Sequence, residues 1–184
     1  MYVLINERTE YKIISSKNGE EFCLRKAMEK DAPQIIVAAK KIIDSGTYIQ
    51  KEKPRSIEEE QHFIKEMHRA NNMYIVVEKE KEIVGIARII RGELEMKSHT
   101  GLFRTWLIDR VQGKGIGSEI MTYTLNWCRV NGLHKLCLTV FSSNGLAQKL
   151  YERYGFVTEG IQKEQVKIGN KYDDEIFMAY FLNS

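Results

Sequence analysis

The sequence predicts an α/β chain, α+β in layout, built on a mixed but mostly antiparallel sheet. Three observations carry this. Two β-branched runs in MYIVVEKEKEIVGIARII flank the polar stretch EKEKE and read as a hairpin, and a further strand, TGLFRTWLI, follows at 100–108. The stretch QGKGIGS at 112–118 is a glycine loop that opens a strongly amphipathic helix. After that helix come a buried strand, a short helix and two more strands.

The elements follow in order. YVLI at 2–5, YKIIS at 11–15 and FCLRKA from Phe22 look extended, and KNGE between the last two is a turn signal, so a small hairpin leads into the first main strand. Asp31 as cap and Pro33 in the first turn open a helix, which Ser45 and Gly46 stop. Ser56 and Glu59 form a capping box for a second helix, on which Ile57, Phe63, Ile64 and Met67 share a face before Asn71 and Asn72 close it. Beyond the glycine loop, Ile116, Ile120, Thr124 and Cys128 line one helical face, with Met121 and Leu125 beside them, and Asn131-Gly132 ends the helix. LHKLCLTVF is a buried strand. NGLAQKLYERYGF is a short helix with Ala147, Leu150, Tyr151 and Tyr154 at helical spacing, ended by Gly155. Strands near 156–166 and 172–181, turned by IGNK, complete the chain.

With 184 residues, 43% hydrophobic and 29% charged, the chain suits one domain over 1–184, with 1–20 as an N-terminal hairpin extension. Its start lacks the pattern of a signal peptide, and no run approaches the roughly 20 apolar residues of a membrane span. Cys23, Cys128 and Cys137 are widely spaced in apolar runs and read as buried free thiols, which suits the cytoplasm. His62, His68, His99 and His134 show no zinc-ligand spacing with them, so no metal is expected. A net charge of +3 is too mild to argue for nucleic acid or membrane partners, but a local basic site for an anion stays open.

The loop is where chemistry begins. A helix starting near Gly115–Gly117 leaves its first N–H groups unpaired, and with the helix dipole they make an anion site. The glycines remove Cβ atoms that would block a pyrophosphate, and Lys114 adds a positive charge. The loop fits neither G-x-x-x-x-G-K-[ST] nor G-x-G-x-x-G. Alone, it could be a phosphate cradle or a plain glycine turn before a helix.

The residues downstream narrow this. QGKGIG at 112–117 matches Q/R-x-x-G-x-G/A at every fixed position, and Val140, Asn144, Ala147, Leu150, Tyr151, Gly155 and Phe156 match V…N..A..LY...GF. In these two motifs, in this order, the chain resembles the GNAT N-acetyltransferase family. LRKAMEKDAPQI looks like that family's first strand and helix, EIVGIARI like its third strand and KYDDEIFMAYFL like its last. The first twenty residues lie outside the common core.

The resemblance implies the GNAT acyl-CoA N-acyltransferase fold: a mixed, mostly antiparallel sheet with helices on both faces and a splayed central pair of parallel strands, here 100–108 and 133–141. It implies acetyl-CoA as cosubstrate, with the pantetheine arm taking the backbone bonds left open by the splay. Leu107, at a bulge, would offer its N–H to the thioester oxygen as an oxyanion forms. Gln112, Gly113, Lys114, Gly115, Ile116, Gly117 and Ser118 would hold the pyrophosphate, Asn144 would bind pantetheine, and Tyr151 would protonate the leaving thiolate as general acid while contacting the cofactor. The acceptor would be a primary amine (a small molecule, polyamine, amino acid or protein N-terminus) attacking directly in a ternary complex. The base stays open: Glu93, Glu95, His99 and Asp109 flank the site strand, Thr105 and Trp106 stand where some relatives carry a glutamate, and ordered water is the alternative. Asp173 and Asp174 could line an amine pocket or cap a turn, and Trp106 and Trp127 are core or pocket walls. The resemblance extends to a homodimer. Two competing readings keep the loop but change the function: a catalytically silent CoA-binding regulatory module, and a nucleotide-binding protein.

Overall fold

The computed structural model describes residues 11–46 and 53–182, so the strand expected at 2–5 lies outside the described residues. β1 (Tyr11–Ser15) and β2 (Glu21–Lys26) form the expected hairpin, turned through Gly19 at φ +79°. Asp31 stands at the start of α1 (Ala32–Ser45), but its side chain does not cap that helix. It accepts instead from Met28 N–H at 2.8 Å and from both Arg25 terminal nitrogens at 2.7 and 2.9 Å. The Arg25 fork is the stronger acceptor-matching geometry, which is why the cap is forgone. α1 ends where Gly46 turns left-handed at φ +68°.

α2 (Ile57–Arg69) carries the capping box as expected: Ser56 Oγ accepts from Glu59 N–H at 3.1 Å, and Glu59 Oε2 accepts from Ser56 N–H at 2.7 Å. β3 (Met73–Lys79) and β4 (Glu82–Arg91) meet through Glu80 and Lys81, both at positive φ (+50° and +67°), the backbone of a tight hairpin turn made without glycine. β5 (Thr100–Leu107), α3 (Ile116–Val130), β6 (Lys135–Phe141), α4 (Gly145–Arg153), β7 (Val157–Ile168) and β8 (Lys171–Phe181) complete the described chain.

The strands form one eight-stranded sheet in the order β1-β2-β3-β4-β5-β6-β8-β7, and every neighbouring pair but β5–β6 is antiparallel. β3 is apolar from Met73 to Val77 because both its faces are covered there. Tyr74 and Val76 join Ala32, Ile35, Ile64 and Met67 of α1 and α2 in one cluster, while Met73, Ile75 and Val77 join Ile116, Ile120 and Cys128 of α3 in the other. Alternation along one strand thus separates two helical layers.

The sheet has one opening. β5 and β6 pair only from Thr100↔Lys135 to Leu102↔Cys137. Beyond that point β5 stays on β4 up to Gly85↔Leu107, and β6 stays on β8 up to Phe141↔Glu175. The two strands therefore part in the middle of the sheet.

The β1–β2 hairpin is fastened to the rim of this opening. Lys17 N–H donates to Lys114 O at 2.9 Å, and Glu20 takes Lys114 Nζ at 2.6 Å together with Lys79 Nζ. The Lys114 and Lys79 ammoniums hold the Glu20 carboxyl down at about 2. A depressed carboxyl stabilises the fold above its unfolded value, and that contribution is lost as pH falls through the folded one. The expected result is that Glu20→Gln unfolds at a lower temperature than wild type at pH 7, that the gap narrows below about pH 4.5, and that it closes near pH 2. Thermal melts across pH test this; a gap that does not change with pH would refute it.

Candidate active site

A cleft of about 880 Å³ occupies the gap between β5 and β6 and continues over the α1–α2 face of the sheet. Its walls are the outer halves of β5 and β6, the 112–118 loop and α4, with Arg55, Glu60, Tyr74 and Arg88 at one end.

Leu107 has the backbone position that the chemistry asks for. Ile108 N–H donates to Val84 O at 2.9 Å. Hydrogen-bonded and non-bonded pairs alternate along an antiparallel ladder, so Leu107, opposite Gly85, turns its N–H and C=O away from β4 and towards the parted β6. Gln112 Nε2 takes the Leu107 carbonyl at 2.8 Å and also reaches Asp109 Oδ1 at 3.3 Å, tying the loop to the strand end. The β4–β5 register is continuous from Gly85↔Leu107 to Arg91↔Gly101. There is thus no bulge at Leu107; ladder parity and the departure of β6 direct its N–H instead. Gly85 makes room for this, since a Cβ there would lie 2.5 Å from Leu107 Cδ2 and 2.6 Å from the Trp106 carbonyl oxygen.

The loop turns through Gly113 and Gly115 at φ +71° and +90°. The first bonds of α3 are from Ser118 and Glu119 N–H to Gly115 O, at 3.0 and 3.4 Å. Earlier N–H groups of the loop therefore precede the helical ladder and stand at the positive end of its dipole. Gln112, Gly113, Gly115, Gly117 and Ser118 line the cleft, but Lys114 and Ile116 do not. Lys114 is ion-paired with Glu20, and the Ile116 side chain is buried in the core. Lys17, from the hairpin, lies against Gly115 in place of Lys114, and Arg153 reaches Ser118 Oγ at 3.3 Å. Neither cation is found by reading the loop motif, because both come from other elements.

Asn144 starts α4 and accepts from Ala147 N–H through Oδ1 at 3.2 Å, leaving its amide NH₂ as the donor end. Tyr151 lines the cleft with only 8% of its surface exposed, and its hydroxyl has no hydrogen-bond partner among the described residues. Burial pushes the Tyr151 phenol up to about 12, and the Arg104 guanidinium pulls against that shift. Tyr151 is therefore a protonated donor across the ordinary pH range.

Other candidates disperse. Among the charged candidates flanking β5, Glu93, Glu95, His99 and Asp109 are absent from the cleft lining. Asp173 caps the Ser142–Ser143 turn, and Asp174 holds Lys163 at 2.8 Å and Glu164 N–H at 2.9 Å. Trp106 is a cleft wall and Trp127 packs on the core. The far end of the cleft was not anticipated. There Glu60, 2% exposed, accepts from Tyr74 Oη and from Arg55 Nη1 (2.9 Å), and the Phe63 ring carries the Arg55 guanidinium at 3.8 Å and that of Arg88 at 5.1 Å. A signal existed: Ile57, Glu60, Ile64 and Met67 fall on one helical face, and Arg88 interrupts an apolar β-run.

Residues 36–156 match the description of the Acetyltransferase (GNAT) family. The chain belongs to that family. Among curated relatives, the spermidine N(1)-acetyltransferase of Vibrio cholerae is 29% identical over 127 residues, covering 68% of this chain and 72% of that protein. The L-amino acid N-acetyltransferase AaaT of Escherichia coli is 31% identical over 102 residues, covering 53% of this chain and 61% of that protein. A solved GNAT phosphinothricin acetyltransferase from Sinorhizobium meliloti, in complex with acetyl-CoA, shares the fold with a TM-score of 0.80 at 20% identity, covering 86% of this chain and 87% of that one. This GNAT enzyme is thus an acetyl-CoA-dependent N-acetyltransferase, moving an acetyl group to an amine. That displaces the silent CoA-binding and nucleotide-binding readings. The cleft fits the cosubstrate: a glycine cradle for a pyrophosphate at one end, and outward-turned backbone groups for an amide-bearing arm along the gap.

At 100 times its Kd, acetyl-CoA should stabilise the GNAT enzyme by about 2.7 kcal/mol. Gly115→Asp puts a charge in the cradle and a side chain on a left-handed residue. The latter alone should lower the unfolding midpoint by roughly 2–8 °C. Melts with and without acetyl-CoA are expected to show that modest drop and no ligand shift. A wild-type shift in the variant would remove the loop from the binding site.

Proposed function

We propose that the 112–118 loop, Leu107, Asn144 and Tyr151 form one acetyl-transfer site, in which the amine attacks directly while both substrates are bound. The parting of β5 and β6, with the Leu107 N–H turned into the gap, is the observation that carries this reading. Loop N–H groups from Gly113 to Gly117, with Lys17 and Arg153, hold the pyrophosphate. Asn144 donates its amide NH₂ to the pantetheine arm. Acetyl-CoA supplies the activated acetyl group. The Leu107 N–H donates to the thioester oxygen as negative charge builds on it.

Tyr151 gives a proton to the departing sulfur. A phenol near 12 is a weaker acid than free tyrosine, so the transfer is less closely matched to an ordinary thiol than its residue type suggests. The same dry surroundings raise the thiol as well, which restores part of the match. Loss of this donor is expected to lower kcat about 100-fold. The chain is also read as one domain, as cytoplasmic, on the strength of three free cysteines, and as a homodimer, for which the exposed β7 edge offers a surface.

The expected outcome for Tyr151→Phe is a kcat loss of that size with acetyl-CoA affinity within two-fold of wild type, roughly. An acid must stay protonated to act, so wild-type kcat should show no falling limb up to about pH 10. Steady-state kinetics with calorimetric Kd values check both. A fall in affinity matching the fall in kcat would make Tyr151 a packing residue.

A further inference from the structure

The ionisable lining of the cleft is lopsided. Among the described residues, Lys17, Arg55, Arg88, Arg104, Lys149 and Arg153 line it, against the single carboxylate of Glu60. Lys17 and Arg153 stand by the glycine loop and serve the phosphate end, and Lys149 is an exposed residue of α4. The other three arginines gather at the acceptor end.

Two of these arginines are costly to keep. Arg88 and Arg104 are directly opposed across β4 and β5, an arrangement that destabilises a sheet when the charges are alike. Neither is in an ion pair among the described residues. Arg104 Nη1 reaches across the opening to Thr139 Oγ1 at 2.6 Å, whereas Arg88 Nε is buried with no partner. Burial lowers both guanidinium pKa values; Glu60 and Tyr74 support Arg88 only at longer range, and Glu175 and Tyr151 support Arg104. Glu60 brings one negative charge against three guanidinium groups, and its oxygens already accept from Tyr74 and Arg55.

We propose that the acceptor is an amine bearing an oxyanion, an amino acid or close analogue, whose anionic group lies between Arg88 and Arg104 while its amine faces the Leu107 end of the cleft. This rests on the acetyl-transfer reading above and specifies its acceptor. A planar guanidinium matches a carboxylate through two parallel hydrogen bonds, and two opposed guanidinia give an oxyanion a site that a dication would find repulsive. The arginines also disfavour the ammonium form of the bound acceptor, easing release of its proton to solvent before attack. The nitrogen lone pair then forms the new amide bond as the C–S bond breaks; the sulfur takes its proton from Tyr151, and the proton that the acylated nitrogen sheds passes to solvent, from which Tyr151 is reprotonated.

The test is acetyl-CoA-dependent thiol release by the full chain. The acceptors are the L-amino acids, the methyl ester and amide of each, aminophosphonate analogues and spermidine. At least one free acid is expected to exceed its own ester and amide by ten-fold or more in kcat/KM. Activity with the phosphonate as well would define a general oxyanion site; activity with the acid alone would define a carboxylate site. Both support the proposal. Arg88→Gln should raise KM for the acid at least ten-fold, leave KM for the ester within two-fold, and keep acetyl-CoA affinity. Esters or spermidine equalling the free acids, equal loss on acid and ester in the variant, or no anionic acceptor at all would overturn the proposal. Calorimetry on the same samples separates the two readings. Failure to bind acetyl-CoA would defeat the transfer site itself, whereas normal binding with turnover of spermidine alone would defeat only the acceptor assignment.

Discussion

Between β5 and β6 the parallel ladder runs for three residue pairs and stops, although both strands continue. Backbone N–H and C=O groups inside a protein are seldom left unpaired. A sheet that opens in its middle must therefore offer those groups to something else. Each flanking strand remains laddered to its outer neighbour, so the opening is framed on both sides by paired strands. Around it the other parts fall into place. α3 begins beside the end of β5 and presents its N-terminus, α4 begins beside the end of β6 and presents Tyr151, and ladder parity turns the Leu107 N–H inward. Backbone geometry sets the site; side chains then tune it.

Charge divides the cleft into two working ends. At the loop, helix dipole and glycine backbone are what an anion would meet, and the lysine in the motif is drawn aside by Glu20. That lysine fastens the β1–β2 hairpin, and the hairpin returns a different lysine, Lys17, to the rim. The exchange shows why a charged residue in a motif is a weaker guide than a glycine. The glycines are required by backbone conformation at Gly113 and Gly115, whereas a lysine can be replaced by any cation that reaches the same point.

The same contrast explains what could be read from the sequence. Capping residues at Ser56 and Glu59, the apolar face of α3 and the polar turn between β3 and β4 act within a few residues of themselves, so they appear at their expected places. Asp31 failed as a helix cap because a longer-range partner, Arg25, competed for it. The arginine cluster is long-range throughout. Arg55 and Glu60 come with α2, Arg88 with β4 and Arg104 with β5, and only the sheet register sets the last two opposite each other. No local pattern announces that juxtaposition, though a charged residue inside an apolar run is the trace it leaves.

Proton accounting links these parts. The amine must arrive without its ammonium proton, and the thiolate must leave with one. Among the described residues, the one carboxylate lining the cleft, Glu60, is held by Tyr74 and Arg55. A cationic surround reduces the need for a carboxylate base by making the neutral amine the favoured form. Arg104 lies where it bears on both transfers: it is one of the cations facing the acceptor, and it is also the charge that draws the Tyr151 phenol back towards acidity against its burial. In the proposed mechanism, one half-buried arginine thus favours proton loss at the nucleophile and proton donation to the leaving group. Its charge, unpaired by any carboxylate in direct contact, is a burden on the sheet that the two transfers put to use.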